Sequence, residues 1–203
     1  IINLSENFLN GFLPENAAKL TNLEELNLDG NQVTSIGEGI VDNWTKLRSF
    51  SMQDNGLTAV PEGITNWTNI EFLNLKNNAI AALPESITDK WKHIKKIYLG
   101  SNALTALPEE IGNFDQLIEL DVSNNALEAL PNSLGLLYEL ELLHLGNNKL
   151  LEFQSSIFTG LRKLRELQLY KNKISVVGAE IGNLRSIERL SLASNQIKYV
   201  PEE

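Results

Sequence analysis

The chain contains no cysteine among its 203 residues. Disulfides and thiolate metal sites are therefore excluded along it. Only two histidines occur, His93 and His144, which are far apart in the repeat pattern described below. A histidine metal cluster is excluded with them. No run of about 18 apolar residues exists, so no segment reads as a membrane-spanning helix. Phosphate-cradling glycine loops are missing too, whether G-x-x-x-x-G-K-[ST] or G-x-G-x-x-G. No cofactor is expected on these grounds. Positive charge is scarce: 17 Lys and Arg stand against 26 Asp and Glu, a net charge of −9. An acidic surface repels phosphate, so neither nucleic acid nor an anionic membrane is an expected partner. Aromatic residues make up only 7% of the chain.

What the chain does have is a period. Asn7, Asn31, Asn55, Asn78, Asn102, Asn125, Asn148, Asn172 and Asn195 follow one another at intervals of 23 or 24 residues. Each closes the phrase L-x-x-L-x-L-x-x-N-x-L, as in Leu117, Leu120, Val122, Asn125, Leu127. Within it, x-L-x-L-x alternates with period 2 and predicts a short strand. The leucines point one way and the x residues the other. The asparagine amide both donates and accepts, so it can satisfy backbone groups that have left the sheet. Nine of them at one position predict a buried amide ladder.

The return segments have their own wording. Pro61, Pro84, Pro108, Pro131 and Pro201 each lie six residues past their asparagine, and Pro14 lies seven past. Proline fixes φ and lacks an N–H, so it ends strand pairing and starts a turn. Gly37, Gln154 and Gly178 stand at this place in the other repeats. Segments such as Pro108-Glu109-Glu110-Ile111 predict a short helical or 3₁₀ turn with Glu near its start. A single unit of this size buries too little to fold alone, so stacking must supply the core. The strands then form one parallel sheet on the order of 38 Å long, at ~4.8 Å per strand. The return side is wider per repeat, which curves the stack with the sheet inside.

These residues carry a resemblance. Leu73-x-Leu75-x-x-Asn78-x-Ile80-x-x-Leu83-Pro84-x-x-Ile87 resembles the L-P-x-x-I class of leucine-rich repeat. That class is found in intracellular Ras-pathway scaffolds, plant intracellular Ras-group proteins, fungal adenylyl cyclases, Roco-type kinases and bacterial repeat proteins. The resemblance implies an α/β repeat solenoid, a curved horseshoe of about nine repeats. Its concave side is a parallel sheet, and its convex side is built of 3₁₀ turns, short helices and loops. It covers residues 1–203 as a single domain. Ile1 already lies inside a repeat and Glu203 stops inside one, so the chain is expected to be an uncapped piece of a longer array. Two repeats depart from the class. Asn7-x-Leu9-x-Gly11-x-Leu13-Pro14 resembles the plant-specific extracellular type, and Ile157-Phe158-Thr159-Gly160-Leu161 the animal extracellular type.

The strand register places the outward residues in columns. Most are polar, as a solvated face requires. Phe72, Tyr98, Leu142, His144 and Tyr170 are the exceptions, and pleating should expose them. Gly100 and Gly146 beside them should lower the surface enough to admit a partner side chain. With Lys76, Lys96 and Asp121 these form the candidate ligand-binding patch on the concave face. The competing reading is a scatter of surface aromatics without function. Glu6, Glu24, Glu25 and Asp29 make the first strands acidic, and Lys76, Lys95 and Lys96 make the middle basic. This alternation either steers a partner or only keeps the face wet.

Three further groupings invite chemistry. Asp121 and His144 share a column on adjacent strands, with Ser123 two residues along. A hydrolytic triad also needs an oxyanion hole and a dry pocket, which an open strand face does not supply. A cross-strand hydrogen bond is the expected outcome, and no enzymatic activity is assigned. Trp44, Trp67, Trp91 and Phe114 fill a position held by leucine in other repeats, which predicts a core ladder. Asn3, Asn43 and Asn66 open glycosylation-type triplets, at about the number chance produces. Asn66, Asn113 and Asn183 share one repeat position, which suits a turn role.

The expected function is non-enzymatic binding of a protein or peptide on the concave face, within a cytoplasmic signalling or scaffold protein. The alternatives are an extracellular recognition domain of a receptor or adhesin, and the targeting part of a larger enzyme such as a kinase, cyclase, GTPase or ubiquitin ligase.

Overall fold

The computed structural model describes residues 1–200. Pro201, expected to start a return turn, lies outside the described residues. The strands are β1 (Ile2–Asn3), β2 (Asn10–Phe12), β3 (Glu25–Asn27), β4 (Gln32–Ser35), β5 (Ser49–Ser51), β6 (Phe72–Asn74), β7 (Lys96–Tyr98), β8 (Glu119–Asp121), β9 (Leu142–His144), β10 (Glu166–Gln168) and β11 (Arg189–Ser191). Among the described residues, nine of them form one parallel sheet in the order β1-β3-β5-β6-β7-β8-β9-β10-β11. The pairing is in register, so Leu73, Ile97, Leu120 and Leu143 lie side by side. Parallel neighbours require a crossover between every pair of strands. The return segments supply it with helices α1 (Glu38–Val41), α2 (Ile87–Lys90) and α3 (Ser155–Gly160) and with 3₁₀ turns elsewhere.

The departure of the first repeat has a structural counterpart. Strands β2 and β4 form a second, two-stranded parallel sheet beyond the asparagine turn. Gly11 lies in β2 with φ +68°, a backbone state that favours glycine.

The asparagine ladder is present and works across repeats. Asn125 donates to the carbonyls of Val122 and Ser123 in its own repeat, and to Leu99 in the preceding one, at 3.0–3.1 Å. Its Oδ1 accepts from the N–H of Leu104, also in the preceding repeat, at 2.9 Å. Asn31, Asn55, Asn78, Asn102, Asn148, Asn172 and Asn195 repeat this scheme. Asn7 bonds only within its own repeat. The residue before each asparagine holds a left-handed backbone. These are Glu6, Gly30, Asp54, Asn77, Ser101, Asn124, Asn147, Lys171 and Ser194, with φ between 52° and 64°. That turn directs the next side chain back under the sheet. The cost for a non-glycine residue, roughly 1–2 kcal/mol, is reduced for Asn and Asp.

The prolines act through their carbonyls. Pro14, Pro61, Pro84, Pro108 and Pro131 each accept a hydrogen bond from the N–H three residues on. Gly37, Gln154 and Gly178 accept the same bond, which explains why they can replace proline. The core is one continuous cluster running from Leu23 to Leu184. Burial depends on having a neighbour on both sides. Leu143 and Leu167 are fully buried, whereas Leu190, the same position on the last strand, is 42% exposed.

Asn125→Ala strands the N–H of Leu104, whereas the carbonyls of Leu99, Val122 and Ser123 each keep a second donor, from Asn102, Asn148 and the Ser101 N–H. The substitution should cost ~1–3 kcal/mol in urea denaturation. Asn7→Ala should cost clearly less. Equal costs would remove the inter-repeat bonds from the explanation.

Candidate functional site

The columns expected from the sequence are the columns observed. Phe72 pairs with Lys96, Lys96 with Glu119, and Glu119 with Leu142. Asn74, Tyr98, Asp121, His144 and Gln168 form the next column. All eight patch residues therefore lie on the concave sheet or at the strand ends beside it. Their exposure differs from expectation. Phe72, Lys76, Lys96, Tyr98, Leu142, His144 and Tyr170 are half-buried, and Asp121 is buried. In-register neighbours only a strand apart cover one another's flanks.

The patch divides into two clusters. In the first, the rings of Phe72 and Tyr98 meet edge to face, with centroids 5.7 Å apart and planes at 72°. The Tyr98 hydroxyl donates to Glu119, which also takes Lys96 at 2.8 Å. Burial, and then the Glu119 carboxylate, push the Tyr98 phenol well above its ordinary range. Burial alone would raise Glu119, but the Lys96 and Tyr98 hydrogen bonds outweigh it and hold the carboxyl below its ordinary value. In the second, His144 Nε2 lies 3.1 Å from Glu166, which also binds Arg189 and Gln168. The Gln168 and Arg189 hydrogen bonds lower the Glu166 carboxyl. Glu119 and Glu166 are thus the hubs of the face, and neither was singled out from the sequence. The signal was available: each carries an opposite charge one strand away in its own column, Lys96 and Arg189.

Three expectations require correction. The glycines do not open hollows for a partner. A Cβ on Gly146 would lie 2.3 Å from the Tyr170 ring, so that ring already covers the glycine. A Cβ on Gly100 would lie 3.0 Å from the Asp121 carboxylate, and Lys76 reaches that carboxylate at 3.6 Å. Nor is the middle of the face a free basic band. Lys95 pairs with Glu71 at 2.8 Å, alongside Lys96 with Glu119 and Lys76 with Asp121. Finally, Asp121 and His144 do not bond across strands. Asp121 accepts from the Ser123 hydroxyl at 2.6 Å and its N–H at 2.9 Å, and His144 turns to Glu166. Ser123, His144 and Asp121 therefore do not assemble as a catalytic relay.

The tryptophan row lies in the core. Trp44, Trp67, Trp91 and Phe114 are at most 1% exposed. Each indole N–H donates to a carbonyl of the preceding return segment: Trp44 to Ala17, Trp67 to Val41, and Trp91 to Ile64, at 3.0–3.1 Å. Asn66 and Asn113 also bond across repeats, to Asp42 at 3.2 Å and Asp89 at 3.4 Å.

The family model described as Leucine rich repeat matches residues 21–80, 68–127, 92–150 and 138–197. The chain belongs to the leucine-rich repeat family. The fold is a curved leucine-rich repeat solenoid, an architecture that generally serves protein–protein interaction and is generally non-enzymatic. Solved structures extend the comparison. A leucine-rich repeat protein of Leptospira interrogans is 31% identical with a TM-score of 0.88, over 96% of this chain and 49% of that one. The Arabidopsis receptor kinase HAESA, in complex with the peptide hormone IDA and the co-receptor SERK1, is 27% identical with a TM-score of 0.85, over 97% of this chain and 34% of that one. The Drosophila Toll–Spatzle complex gives 27% identity and a TM-score of 0.85, over 97% of this chain and 27% of that one. This leucine-rich repeat chain thus spans half or less of the length of these proteins. A comparison with curated proteins finds no significant match. No helix among the described residues is long and apolar enough to cross a membrane.

The lowered carboxyls carry a pH dependence. Lys95 and Arg48 hydrogen bonds lower Glu71, and Glu119 and Glu166 are lowered as above. The folded state then binds fewer protons than the unfolded one in the acid range. The stability these groups add is complete above the ordinary carboxylate range and is lost as pH falls through their folded values. Urea midpoints should therefore fall on acidification below about pH 4.5. A Glu71→Gln/Glu166→Gln variant should show a shallower acid limb, and an unchanged limb would exclude these pairs as its source.

Proposed function

We propose that this chain is a non-enzymatic interaction module that binds a protein or extended peptide on its concave face, within a cytoplasmic signalling or scaffold protein. The observation that carries this reading is the run of large, half-buried side chains across the middle repeats: Phe72, Tyr98, Leu142 and Tyr170. The solvated columns around them are mainly polar or charged. Each of the two tyrosines is already fixed, Tyr98 by Phe72 and Glu119 and Tyr170 by its rest on Gly146. Pre-ordered aromatic anchors lose little conformational entropy on binding, and tyrosine is enriched among interface hot spots. Lys76, Lys96 and His144 form a polar surround that sets the partner's register, with the buried Asp121 holding Lys76 from beneath. The corrected role of the glycines sharpens the proposal. A partner meets a filled surface rather than pockets, so contact is by broad area.

A second reading has its own support. Peptide-bound and ligand-bound receptors are among the similar structures, and the first two repeats carry the second sheet formed by β2 and β4. An extracellular recognition domain is the alternative these features favour. Localisation of the full-length protein separates the two readings.

Affinity capture followed by titration of the recovered partner tests the face itself. Tyr98→Ala and Tyr170→Ala should each weaken binding by more than about 1 kcal/mol. Unchanged affinity in both variants would move the binding surface elsewhere.

A further inference from the structure

Of the five arginines, Arg48, Arg165 and Arg189 each hold a glutamate of a neighbouring repeat. Arg162 and Arg185 form no ion pair among the described residues. They share one open recess of about 350 Å³ with Thr159 and Asn183, at the joint between the return segments of the seventh and eighth repeats. In a chain of net charge −9, two adjacent guanidinium groups without a carboxylate call for an account.

Two of the equivalent joints elsewhere in the chain place an asparagine against an aspartate. Asn66, one residue before the core Trp67, donates to Asp42, two residues before the core Trp44 of the preceding repeat. Asn113, one residue before Phe114, donates to Asp89, two residues before Trp91. Asn183 stands one residue before the core Leu184. Its expected acceptor, two residues before the core Leu161, is Thr159. The carboxylate that completes those two joints is absent from these positions here, where threonine stands in its place. The flanking position carries Thr45 and Thr68 in one joint, Lys92 and Asp115 in the other, and two arginines here.

We infer that this joint is a receptor for a carboxylate supplied by a partner protein, an Asp or Glu side chain lying next to an apolar residue. Two guanidinium groups and a carboxamide offer a carboxylate a set of charge-assisted hydrogen bonds. The apolar neighbour follows from the adjoining surface. A second recess of about 560 Å³ shares Thr159 and Arg162 with the first and runs to Leu136 and Tyr138. Those two side chains are 48% and 50% exposed, in the middle of the array rather than at its ends. The combined surface is cationic at one end and apolar at the other, which matches an acidic peptide segment carrying a leucine or aromatic residue. It lies on the return side and stands independently of the concave-face proposal.

The test uses NMR signals of the Arg162 and Arg185 Nε–H groups. Three probes are compared: a capped peptide with leucine beside two glutamates, the same peptide with glutamines, and inorganic phosphate. The acidic peptide should shift both signals saturably, and the glutamine peptide should not. Arg162→Ala/Arg185→Ala should weaken the acidic peptide by about tenfold or more, with little change in the unfolding midpoint, since both side chains are exposed. Thr159→Asp supplies the missing carboxylate from within. It should raise the unfolding midpoint and also weaken the peptide by about tenfold. Equal response to the acidic and glutamine peptides, no saturable shift, or undiminished peptide binding by Thr159→Asp would overturn the inference. Tighter binding of phosphate than of the acidic peptide would overturn the assignment to a carboxylate.

Discussion

The structure depends on how the chain leaves the sheet. Each strand is three residues long or shorter in the main sheet, so the backbone turns away before the ladder has satisfied its groups. A buried N–H or carbonyl without a partner costs about 1–3 kcal/mol. Asparagine resolves this with one short side chain. Its oxygen takes an N–H of the preceding repeat, and its NH₂ serves carbonyls of both repeats. Aspartate would set an anion against those carbonyls, and serine has too few donors. The left-handed residue before each asparagine is the other half of the device, because it aims the amide inward.

The two faces follow from that fixed exit. With every strand leaving at the same residue, the inward leucines stack in rows and the outward residues stand in columns. Like positions in successive repeats become neighbours in space. On the return side this joins indole N–H groups to the carbonyls of the repeat before. It also brings backbones so close that a Cβ on Gly160 would lie 1.6 Å from the carbonyl of Gly135. On the concave side it places charges one strand apart, where Lys96 meets Glu119 and Arg189 meets Glu166. The two binding surfaces are of different kinds: the aromatic run of the middle repeats is held in place by its neighbours, and the arginine pair of the later joint has no carboxylate partner among the described residues.

The solenoid, its register, the amide ladder and the buried tryptophan row were all legible in the sequence, because each rests on a residue type recurring at a fixed interval. The left-handed residues were partly legible: Gly30, Asp54, Asn77, Asn124 and Asn147 are the usual types for that backbone, whereas Glu6 and Lys171 are not. What could not be read was the direction in which a long side chain leans. Tyr170 lies over Gly146 rather than standing clear, and His144 turns to Glu166 rather than Asp121. Period and spacing place a Cβ on a face, but the rotamer depends on competing partners one or two strands away. The reach of Lys76 across Gly100 to Asp121 is of this kind, since it skips a repeat.

The central claim is that asparagine side chains extend the sheet's hydrogen bonding into the turns. Hydrogen exchange under native conditions tests it most directly. The amides of Val33, Leu57, Ile80, Leu104, Leu127, Leu150 and Ile174 each donate to an asparagine of the next repeat. They should be protected nearly as well as amides within the strands. Exchange of these amides at the rate of exposed loop positions would contradict the account.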